Sequence, residues 1–469
     1  MYSIVLQILF LISINCTVII NSYPENECNL DNKLVDEIQS YKNVTKQIID
    51  KIVSGGFGTK MYEDYSKFID TFGARLAGSK ALEKAIDHMV NLTRQNGLND
   101  VTTEEVDIPY WQRIYESANM FEPYLKKISI LGLGTSVSTP AEGIKAEAIV
   151  IKSFDELEKT DENKIKGKIV VFDPPFVSYG ETVVYRSLGA SKASRKGAVA
   201  TLVRSITPFS IYSLHTGAQD YENNVTKIPT AAITHEDADL FRRLQNLGEK
   251  IVLKIHMSYA MSRKISRNTI IDLKGKESPE KQVIVSGHID SWDVGQGAMD
   301  DGGGMMISWF VPVILNILKL KPRRTIRAIL WTAEEPGLIG AEAYLTKHIN
   351  ETSNINFIME SDEGTFKPLG LDVAGSTNAR CIIAEVLKLF TPIDKMKESE
   401  YPGSDMTLFV QKGIPGASLL NENERYFWFH HSEGDTMNVQ NQEDVVACAA
   451  FWVAFSYVIA DLSQDIPRQ

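Results

Sequence analysis

The stretch QVIVSGHIDSWDVGQGAMDDGGGMM, residues 282–306, passes from an apolar run into a polar, glycine-rich turn. Its first residues are rich in β-branched side chains and predict a buried strand, and residues 305–320 behind the turn predict a helix. The order continues downstream, with a strand predicted at 325–332, a helix at 338–348 and a strand at 356–359. We therefore predict an α/β fold with a mostly parallel or mixed central sheet that is flanked by helices.

Residues 120–265 have a different sequence pattern from the alternating strands and helices that follow. Short β-branched runs, such as 148–152 and 168–172, are separated by charged or Gly- and Pro-containing turns. We expect a β-rich domain here, inserted between an N-terminal part of the main domain at 46–119 and a C-terminal part at 266–469. The length of 469 residues fits two or more domains, because one hydrophobic core seldom grows that large.

Helices are predicted at both ends of the main domain. The pattern of 46–119 is helical, as at 81–92, where apolar residues recur three and four apart. The run 445–460 carries no charge, but it is short for a bilayer span, which takes about 20 residues. We predict a buried core helix there and no stable membrane insertion.

The N-terminus has the features of a secreted protein. The apolar run at 4–14 predicts a signal peptide at 1–22, with an uncleaved membrane anchor as the alternative. The polar residues 23–45 are either a removable pro-segment, as in a zymogen, or a loosely packed arm. Sequons that fit a glycoprotein of the secretory pathway begin at Asn43, Asn91, Asn224 and Asn350. The final compartment, extracellular or lysosomal, stays open.

Charge and cysteine content argue against several classes of protein. The 60 acidic and 49 basic side chains give a net charge of -11, which repels phosphate backbones and anionic lipids, so we expect no nucleic-acid partner. Cys16 falls in the predicted signal peptide, which leaves Cys28, Cys381 and Cys448 without a CxxC pair. The chain is therefore neither a disulfide scaffold nor a cysteine-ligated zinc protein.

Ionisable residues follow three of the predicted strands. They are His288 and Asp290, then Glu334 and Glu335, then Glu360 and Asp362. In open α/β sheets ligand sites lie outside the carboxyl ends of the strands, so these residues are expected to converge. Imidazole nitrogen and carboxylate oxygen are zinc ligands, and the set suits a site with two zinc ions and a position open for water.

The residues around His288 suggest separate roles. His288 would bind one metal, and Asp290, two residues on along an extended chain, would orient its imidazole. Asp300 precedes three glycines that let the backbone turn ahead of a helix. Its carboxylate is therefore presented near a helix N-terminus, where it would be a further ligand.

The adjacent pair Glu334 and Glu335 is costly unless cations neutralise it or one member carries a proton. The pair is explained if one glutamate is a ligand and the other is a general base that takes a proton from the attacking water and returns it to the leaving amine. The pair His430 and His431 supplies the remaining nitrogen ligand, and spacing alone does not decide which of the two coordinates.

Four segments carry a family resemblance. They are SGHIDSWDVGQGAMDDGGG at 286–304, LWTAEEPGLIGAEAY at 330–344, MESDEGTF at 359–366 and FWFHHSEGDT at 427–436. They resemble the co-catalytic zinc peptidase family that includes bacterial aminopeptidases and glutamate carboxypeptidase, and the resemblance runs from about residue 46 to the C-terminus.

The resemblance implies a role for each candidate residue. His288 and Asp362 would belong to one zinc and Glu335 and His431 to the other, while Asp300 would bridge them. Glu334 would be the general base. His431 is preferred to His430 because the family's ligand lies four residues before the acidic residue of an acidic–Thr pair, here 435–436.

The resemblance also implies that 120–265 is a protease-associated domain and that the protein is a homodimer. One position departs from the family, because several relatives have Tyr, a hydrogen-bond donor to the tetrahedral intermediate, where this chain has His430. The donor is left open between His430, Tyr426 and Ser404.

The sequence thus predicts a secreted zinc exopeptidase that hydrolyses dipeptides or short peptides, of the carboxypeptidase or dipeptidase type. An aminopeptidase of the same family is one alternative, and a non-catalytic receptor or binding protein on the same fold is another. A serine hydrolase using Ser286, Ser361 or Ser404 would need a GxSxG elbow, which the chain lacks.

Overall fold

The computed structural model describes residues 28–468. The predicted signal peptide at 1–22, residues 23–27 of the polar segment and Cys16 lie outside the described residues. The helices are α1 Asn32–Ser40, α2 Lys42–Val53, α3 Phe57–Phe72, α4 Lys80–Gln95, α5 Phe154–Lys159, α6 Glu162–Ile165, α7 Tyr179–Thr182, α8 Val184–Arg195, α9 His235–Asn246, α10 Gly303–Ile317, α11 Ile339–Lys347, α12 Thr377–Leu387, α13 Thr407–Val410, α14 Tyr426–Phe429 and α15 Gln442–Asp461. The strands are β1 Val101–Glu122, β2 Lys126–Ile128, β3 Ile130–Gly132, β4 Ile144–Ile151, β5 Ile169–Phe172, β6 Ala200–Arg204, β7 Thr230–Ile233, β8 Val252–Leu273, β9 Ser278–His288, β10 Arg324–Trp331, β11 Ile355–Glu360, β12 Pro368–Ala374, β13 Lys395–Glu398 and β14 Gly416–Asn421.

The main sheet is mixed, with the strand order β13-β12-β14-β11-β9-β10-β8-β1. Its centre, β14-β11-β9-β10, is parallel, whereas β12 and β8 run antiparallel to their inner neighbours. The strands predicted at 282–286, 325–332 and 356–359 are β9, β10 and β11, and the helices predicted at 305–320 and 338–348 are α10 and α11. The predicted α/β fold with a mixed, helix-flanked sheet is confirmed.

Helices cover both faces of this sheet, which explains why its central strands are apolar without alternation. Successive strand residues point to opposite faces. Val283 and Val285 pack into the core that contains α10 and α15, whereas Ile284 packs on the other side with Tyr344 and Phe409. Both sets of side chains are therefore removed from water.

Helix α15 fills the centre of the main core. Asn441 caps its N-terminus by accepting hydrogen bonds from the backbone N–H groups of Glu443 and Asp444, and every residue from 448 to 461 is buried. Among the described residues this helix is the one long and apolar enough to cross a membrane, yet 83% of its apolar window is buried inside the protein. The prediction of a buried helix at 445–460 is confirmed.

Residues 120–265, called the insert below, contain the strands β4-β5-β6-β7-β3, which continue the sheet beyond β8 in that order. Strands β4 to β7 are parallel, and β4 joins the insert to the main sheet by pairing with β8. Val171 packs with Phe241 on one face, and Val170 packs with Ala190 on the other. The insert therefore has two apolar clusters separate from the main core.

Two expectations for these regions were wrong in part. The insert is not simply β-rich, because helices α5 to α9 cover its sheet; α8 buries Gly189, Ala190 and Ala193, small residues that give little apolar contrast in a sequence. The region 46–119 is not helical throughout, because β1 begins at residue 101 and pairs along its length with β8. Both boundaries of the insert fall within these two long strands.

The described part of the 23–45 segment is not a loosely packed arm. Helix α1 buries Leu34 and Ile38 in the main core, and the Tyr41 hydroxyl donates to the backbone oxygen of Asp461 at 2.8 Å. A disulfide joins Cys28 to Cys381 in α12. The odd number of cysteines concealed this pairing, since Cys448 is buried and free.

Candidate metal centre

The carboxyl ends of three parallel strands bring the predicted site residues together. His288 is the last residue of β9, Glu334 and Glu335 follow β10, and Asp362 follows β11. Glu360 is the exception, because it is fully buried and accepts a hydrogen bond from the backbone N–H of Met406 at 2.8 Å. It therefore supports the neighbouring loop, and burial, followed by the charge of Asp362, raises its pKa to about 8.

The first cluster of possible ligands surrounds His288. Its Nε2 lies 3.1 Å from Oδ1 of Asp362 and 3.2 Å from Oδ1 of Asp300. The other ring nitrogen, Nδ1, lies 3.0 Å from the backbone oxygen of Asp290, which leaves Nε2 free for a ligand role. One nitrogen and two carboxylates thus converge, as in a zinc site.

The second cluster surrounds His431. Its Nε2 lies 3.0 Å from Oε2 of Glu335 and 3.3 Å from Oδ2 of Asp300. His430 approaches the same oxygen of Asp300 only to 3.5 Å, and it is His431 that pairs with Glu335. The geometry therefore favours His431 as the ligand of this cluster.

Asp300 lies between the two clusters, with Oδ1 directed to His288 and Oδ2 to His431. Gly304 lets the start of α10 pack closely behind this residue, because a Cβ there would overlap the carbonyl oxygen of Ser361. Although burial opposes it, hydrogen bonding to His288 and His431 lowers the pKa of Asp300 well below its ordinary value.

The donor set fits bound cations. Burial raises the pKa of Glu335 to about 7, with the charge of Asp300 adding to the shift, and Oε1 of Glu335 is buried without a hydrogen-bond donor. A metal ion among these carboxylates would offset both their repulsion and the unmet acceptor. His288, Asp300 and Glu335 are among the groups whose ligand atoms lie within 4.8 Å of one another.

Glu334 lies beside the first cluster. Its Oε2 lies 3.9 Å from Nε2 of His288, and its side chain lines the cavity. Burial, followed by the charges of Asp362 and Glu335, raises its pKa well above the ordinary value. A carboxyl group with a raised pKa in this place is suited to accept and release a proton.

Asp290 does not orient His288 with its carboxylate, as the sequence suggested, since Oδ1 is 3.8 Å from Nδ1 of the imidazole. Its two oxygens instead accept hydrogen bonds from the backbone N–H groups of Glu334 at 3.1 Å and Glu335 at 3.3 Å. In the structure Asp290 thus holds the backbone of the glutamate pair, and its backbone oxygen contacts the imidazole of His288.

Two supporting residues were missed from the sequence. Asp435 accepts hydrogen bonds from the backbone N–H groups of Met299 and Asp300 and so holds the bridging position. Fully buried Arg75 donates to the backbone oxygens of Ile289, Gln296 and Gly297, fixing the loop that follows β9. Asp435 lies within the fourth family segment, whereas Arg75 lies over two hundred residues from the loop that it holds.

Two of the three candidate oxyanion donors are already engaged. The Ser404 hydroxyl donates to Oδ2 of Asp362 at 2.5 Å, and the Tyr426 hydroxyl donates to the backbone oxygen of Asp362 at 3.0 Å. His430 stacks on His431 with ring centroids 3.5 Å apart, and its Nδ1 is buried without a hydrogen-bond partner. His430 is therefore the candidate that retains a free ring nitrogen.

A cavity of about 410 Å³ opens beside both clusters. Its lining includes Glu334, Glu335, Asp362 and His431 from the main domain and Arg186 from the insert. The volume lies in the range of small-molecule sites, so the candidate metal ligands border a space that a short peptide can enter.

The model of peptidase family M28 matches residues 268–456. Carboxypeptidase Q of Xenopus laevis is 49% identical over 434 residues, which cover 92% of this chain and 92% of that protein. The chain belongs to peptidase family M28. Carboxypeptidase Q of Homo sapiens is 48% identical over 438 residues, 93% of each chain. A solved M28 peptidase precursor from Shewanella amazonensis SB2B superposes with a TM-score of 0.87 at 30% identity, covering 92% of this chain and 99% of that one.

Within family M28 the four quoted segments resemble carboxypeptidase Q, and the comparisons confirm that resemblance. The solved M28 structure also confirms the fold of the chain. As a member of this family, the chain is a peptidase that acts on peptide substrates.

Proposed function

We propose that the chain is a secreted two-zinc exopeptidase that hydrolyses dipeptides or short peptides from the carboxyl end. The observation that carries the proposal is the position of Asp300, whose two oxygens face His288 on one side and His431 on the other. One carboxylate between two nitrogen-containing clusters is the arrangement that two co-catalytic ions require.

The ligand assignment follows the two clusters. His288 and Asp362 would hold one zinc, Glu335 and His431 the other, and Asp300 would bridge them. The ions would polarise the scissile carbonyl and the attacking water. Their neutralising charge would also explain how so many carboxyl groups are tolerated in one buried place.

The protein's own groups would manage the proton. Glu334 faces the cavity beside both clusters, and we assign it to take the proton of the attacking water and to pass it to the leaving amine. Asp290 holds the backbone of Glu334, so that the carboxyl group has a fixed position during both transfers.

His430 is the residue that we assign to stabilise the oxyanion. It occupies the place of the family's Tyr and lines the cavity, whereas Ser404 and Tyr426 already donate to Asp362. Burial and the neighbouring His431 lower the pKa of His430, so its ring is neutral with one N–H to donate.

The proposal also covers the processing, location and assembly of the protein as the sequence predicts them. They are secretion after removal of residues 1–22, with the lysosome as the alternative compartment, a zymogen, a protease-associated identity for the insert, and a homodimer. Asn43, Asn91, Asn224 and Asn350 are all exposed, which supports glycosylation at the four sequons.

The test is zinc content per chain, measured on the secreted protein together with hydrolysis of dipeptides that carry free, N-blocked or C-blocked ends. We expect about two zinc ions, loss of cleavage with a chelator and recovery with zinc. Cleavage of C-blocked peptides would favour the aminopeptidase alternative. Folded protein without zinc or cleavage would favour the non-catalytic binding protein.

A further inference from the structure

Arg186 brings a positive charge from the insert into the cavity beside the metal centre. It lies in the first turn of α8, lines the cavity, and is only 7% exposed. The charged residues of the main domain that line the same cavity are acidic, and they are Asp300, Glu334, Glu335, Asp362 and Glu363. Arg186 is therefore the one Lys or Arg of the described residues in the cavity wall.

The guanidinium of Arg186 is held in place by neutral acceptors. Nε donates to the backbone oxygen of Ala218 at 3.2 Å, Nη1 to that of Thr216 at 3.1 Å, and Nη2 to the Tyr179 hydroxyl at 2.9 Å. Gly217 allows this approach, because a Cβ there would overlap the guanidinium. The group is thus oriented by the insert before any substrate arrives.

No Asp or Glu of residues 28–468 forms an ion pair with Arg186. A buried guanidinium without an anionic partner is costly unless it serves a ligand. Arg carries five N–H donors and three are engaged, so two remain, one on each terminal nitrogen. Donors on both terminal nitrogens of a guanidinium can bind the two oxygens of one carboxylate.

The distance from Arg186 to the metal centre is short. The backbone oxygen of Thr216 accepts the hydrogen bond from Nη1 of Arg186 and also lies 3.2 Å from Nδ1 of His431. The guanidinium is therefore two hydrogen bonds from a candidate zinc ligand. Nη1 of Arg186 and Nδ1 of His431 are therefore at most about 6.3 Å apart. One amino-acid residue, whose backbone spans about 3.5 Å, can bridge this distance together with the contacts at its two ends.

We propose that Arg186 binds the α-carboxylate of the substrate's C-terminal residue while the scissile carbonyl lies at the metal centre. The inference rests on the proposed peptidase function and deepens it, because it names the free carboxyl end as the terminus that is recognised. It makes Arg186 a specificity-determining residue and gives the insert a direct part in substrate selection.

The experiment compares Ala-Leu with Ala-Leu-amide as substrates of the zinc-loaded wild type, Arg186→Gln and Arg186→Lys. Arg195→Gln is the matched control, because Arg195 lies on the same helix but pairs with Glu222 at the surface, away from the cavity. Zinc content and melting temperature are measured for every variant, and leucine and leucinamide are titrated calorimetrically as ligands.

The wild type and Arg195→Gln are expected to prefer the free dipeptide strongly and to bind leucine but not leucinamide. Arg186→Gln should lower kcat/KM for Ala-Leu by about 100-fold, mainly through KM, and leave hydrolysis of the amide unchanged. Arg186→Lys should recover part of the preference, since it restores the charge without the fork.

The inference is overturned if Arg186→Gln keeps the preference for the free dipeptide, or if both substrates lose rate equally with zinc intact. It is also overturned if the wild type cleaves both substrates equally, a result that leaves the metallopeptidase in place. Failure of the proposed function looks different, because the wild type would then cleave neither. If Arg186→Gln does not fold, Arg186→Lys takes its place. A weaker preference for the free dipeptide in Arg186→Lys, with leucine but not leucinamide bound by the wild type, supports the inference, and an unchanged preference contradicts it.

Discussion

Glu334 and Glu335 are neighbours in the chain but differ in their surroundings, since only Glu335 contacts His431. Glu334→Gln should keep the fold and the zinc and lower kcat by about a thousandfold, because it removes the proton acceptor without removing a ligand. Glu335→Ala should instead lose zinc. The check is zinc content and kcat for both variants, and equal zinc occupancy in the two would show that the assignments are reversed.

Asp435 acts on the metal centre through the backbone. Asp435→Ala leaves the N–H groups of Met299 and Asp300 without acceptors, so we expect zinc affinity to fall about 10- to 100-fold. Competition with a chelator measures the affinity. Asp435→Asn should lose less, because it keeps one carbonyl acceptor, and the exposed neighbour Glu433→Gln is the control. An unchanged affinity for Asp435→Ala would contradict this role.

At the scale of elements, a loop of the insert meets the loop that carries the histidine pair. His215 is buried, and its Nδ1 lies 2.6 Å from the backbone oxygen of His430. Burial, with the charges of His431 and Arg186, lowers the pKa of His215 to about 3. The imidazole therefore stays neutral in the folded protein under conditions that protonate it in the unfolded chain.

This difference makes stability depend on pH. The unfolded chain binds a proton near pH 6.5, so His215 costs no stability above that value and about 1.4 kcal/mol per pH unit as the pH falls from there toward 3. His215→Asn should unfold with a flatter pH dependence. Denaturant unfolding of both proteins at pH 7, 6 and 5 measures the slopes, and parallel slopes would argue against His215 as the source.

The same scale shows what sequence patterns predict. Strands β9, β10 and β11 and helices α10 and α11 were predicted because each combines a clear apolar run with a polar turn. Strand β1 was missed because its sequence is polar and half exposed, and its partner β8 lies over a hundred residues away. Helix α8 was missed because it buries small side chains.

The site was predicted unevenly for a similar reason. All five proposed ligands and Glu334 could be named from residues at strand ends and from the family resemblance. Arg75 and Arg186 could not, because both are fixed by hydrogen bonds to backbone oxygens of distant segments, and such contacts leave no local pattern. Asp290 could be named as a site residue, but its hydrogen bonds to the backbone N–H groups of Glu334 and Glu335 depend on the fold.

For the molecule as a whole, the disulfide between Cys28 and Cys381 closes most of the chain into one loop, with a sequence separation of 353. We expect the double variant Cys28→Ser, Cys381→Ser to lose about 2–4 kcal/mol of unfolding free energy, because its unfolded state is less constrained. Neither cysteine lines the cavity, so kcat/KM should stay unchanged. Guanidinium unfolding and a dipeptide assay check the two parts, and an unaltered midpoint would contradict the first.

The same bond decides the fate of the N-terminal helix if the precursor is processed. A cut in the turn between α1 and α2 would separate Cys28 from the peptidase backbone, but the bond to Cys381 would still attach the released piece. Maturation at that point would then yield a two-chain enzyme that migrates as one species on a gel without reductant and as two with it. The enzyme could thus be activated by cleavage while α1 stays attached to it.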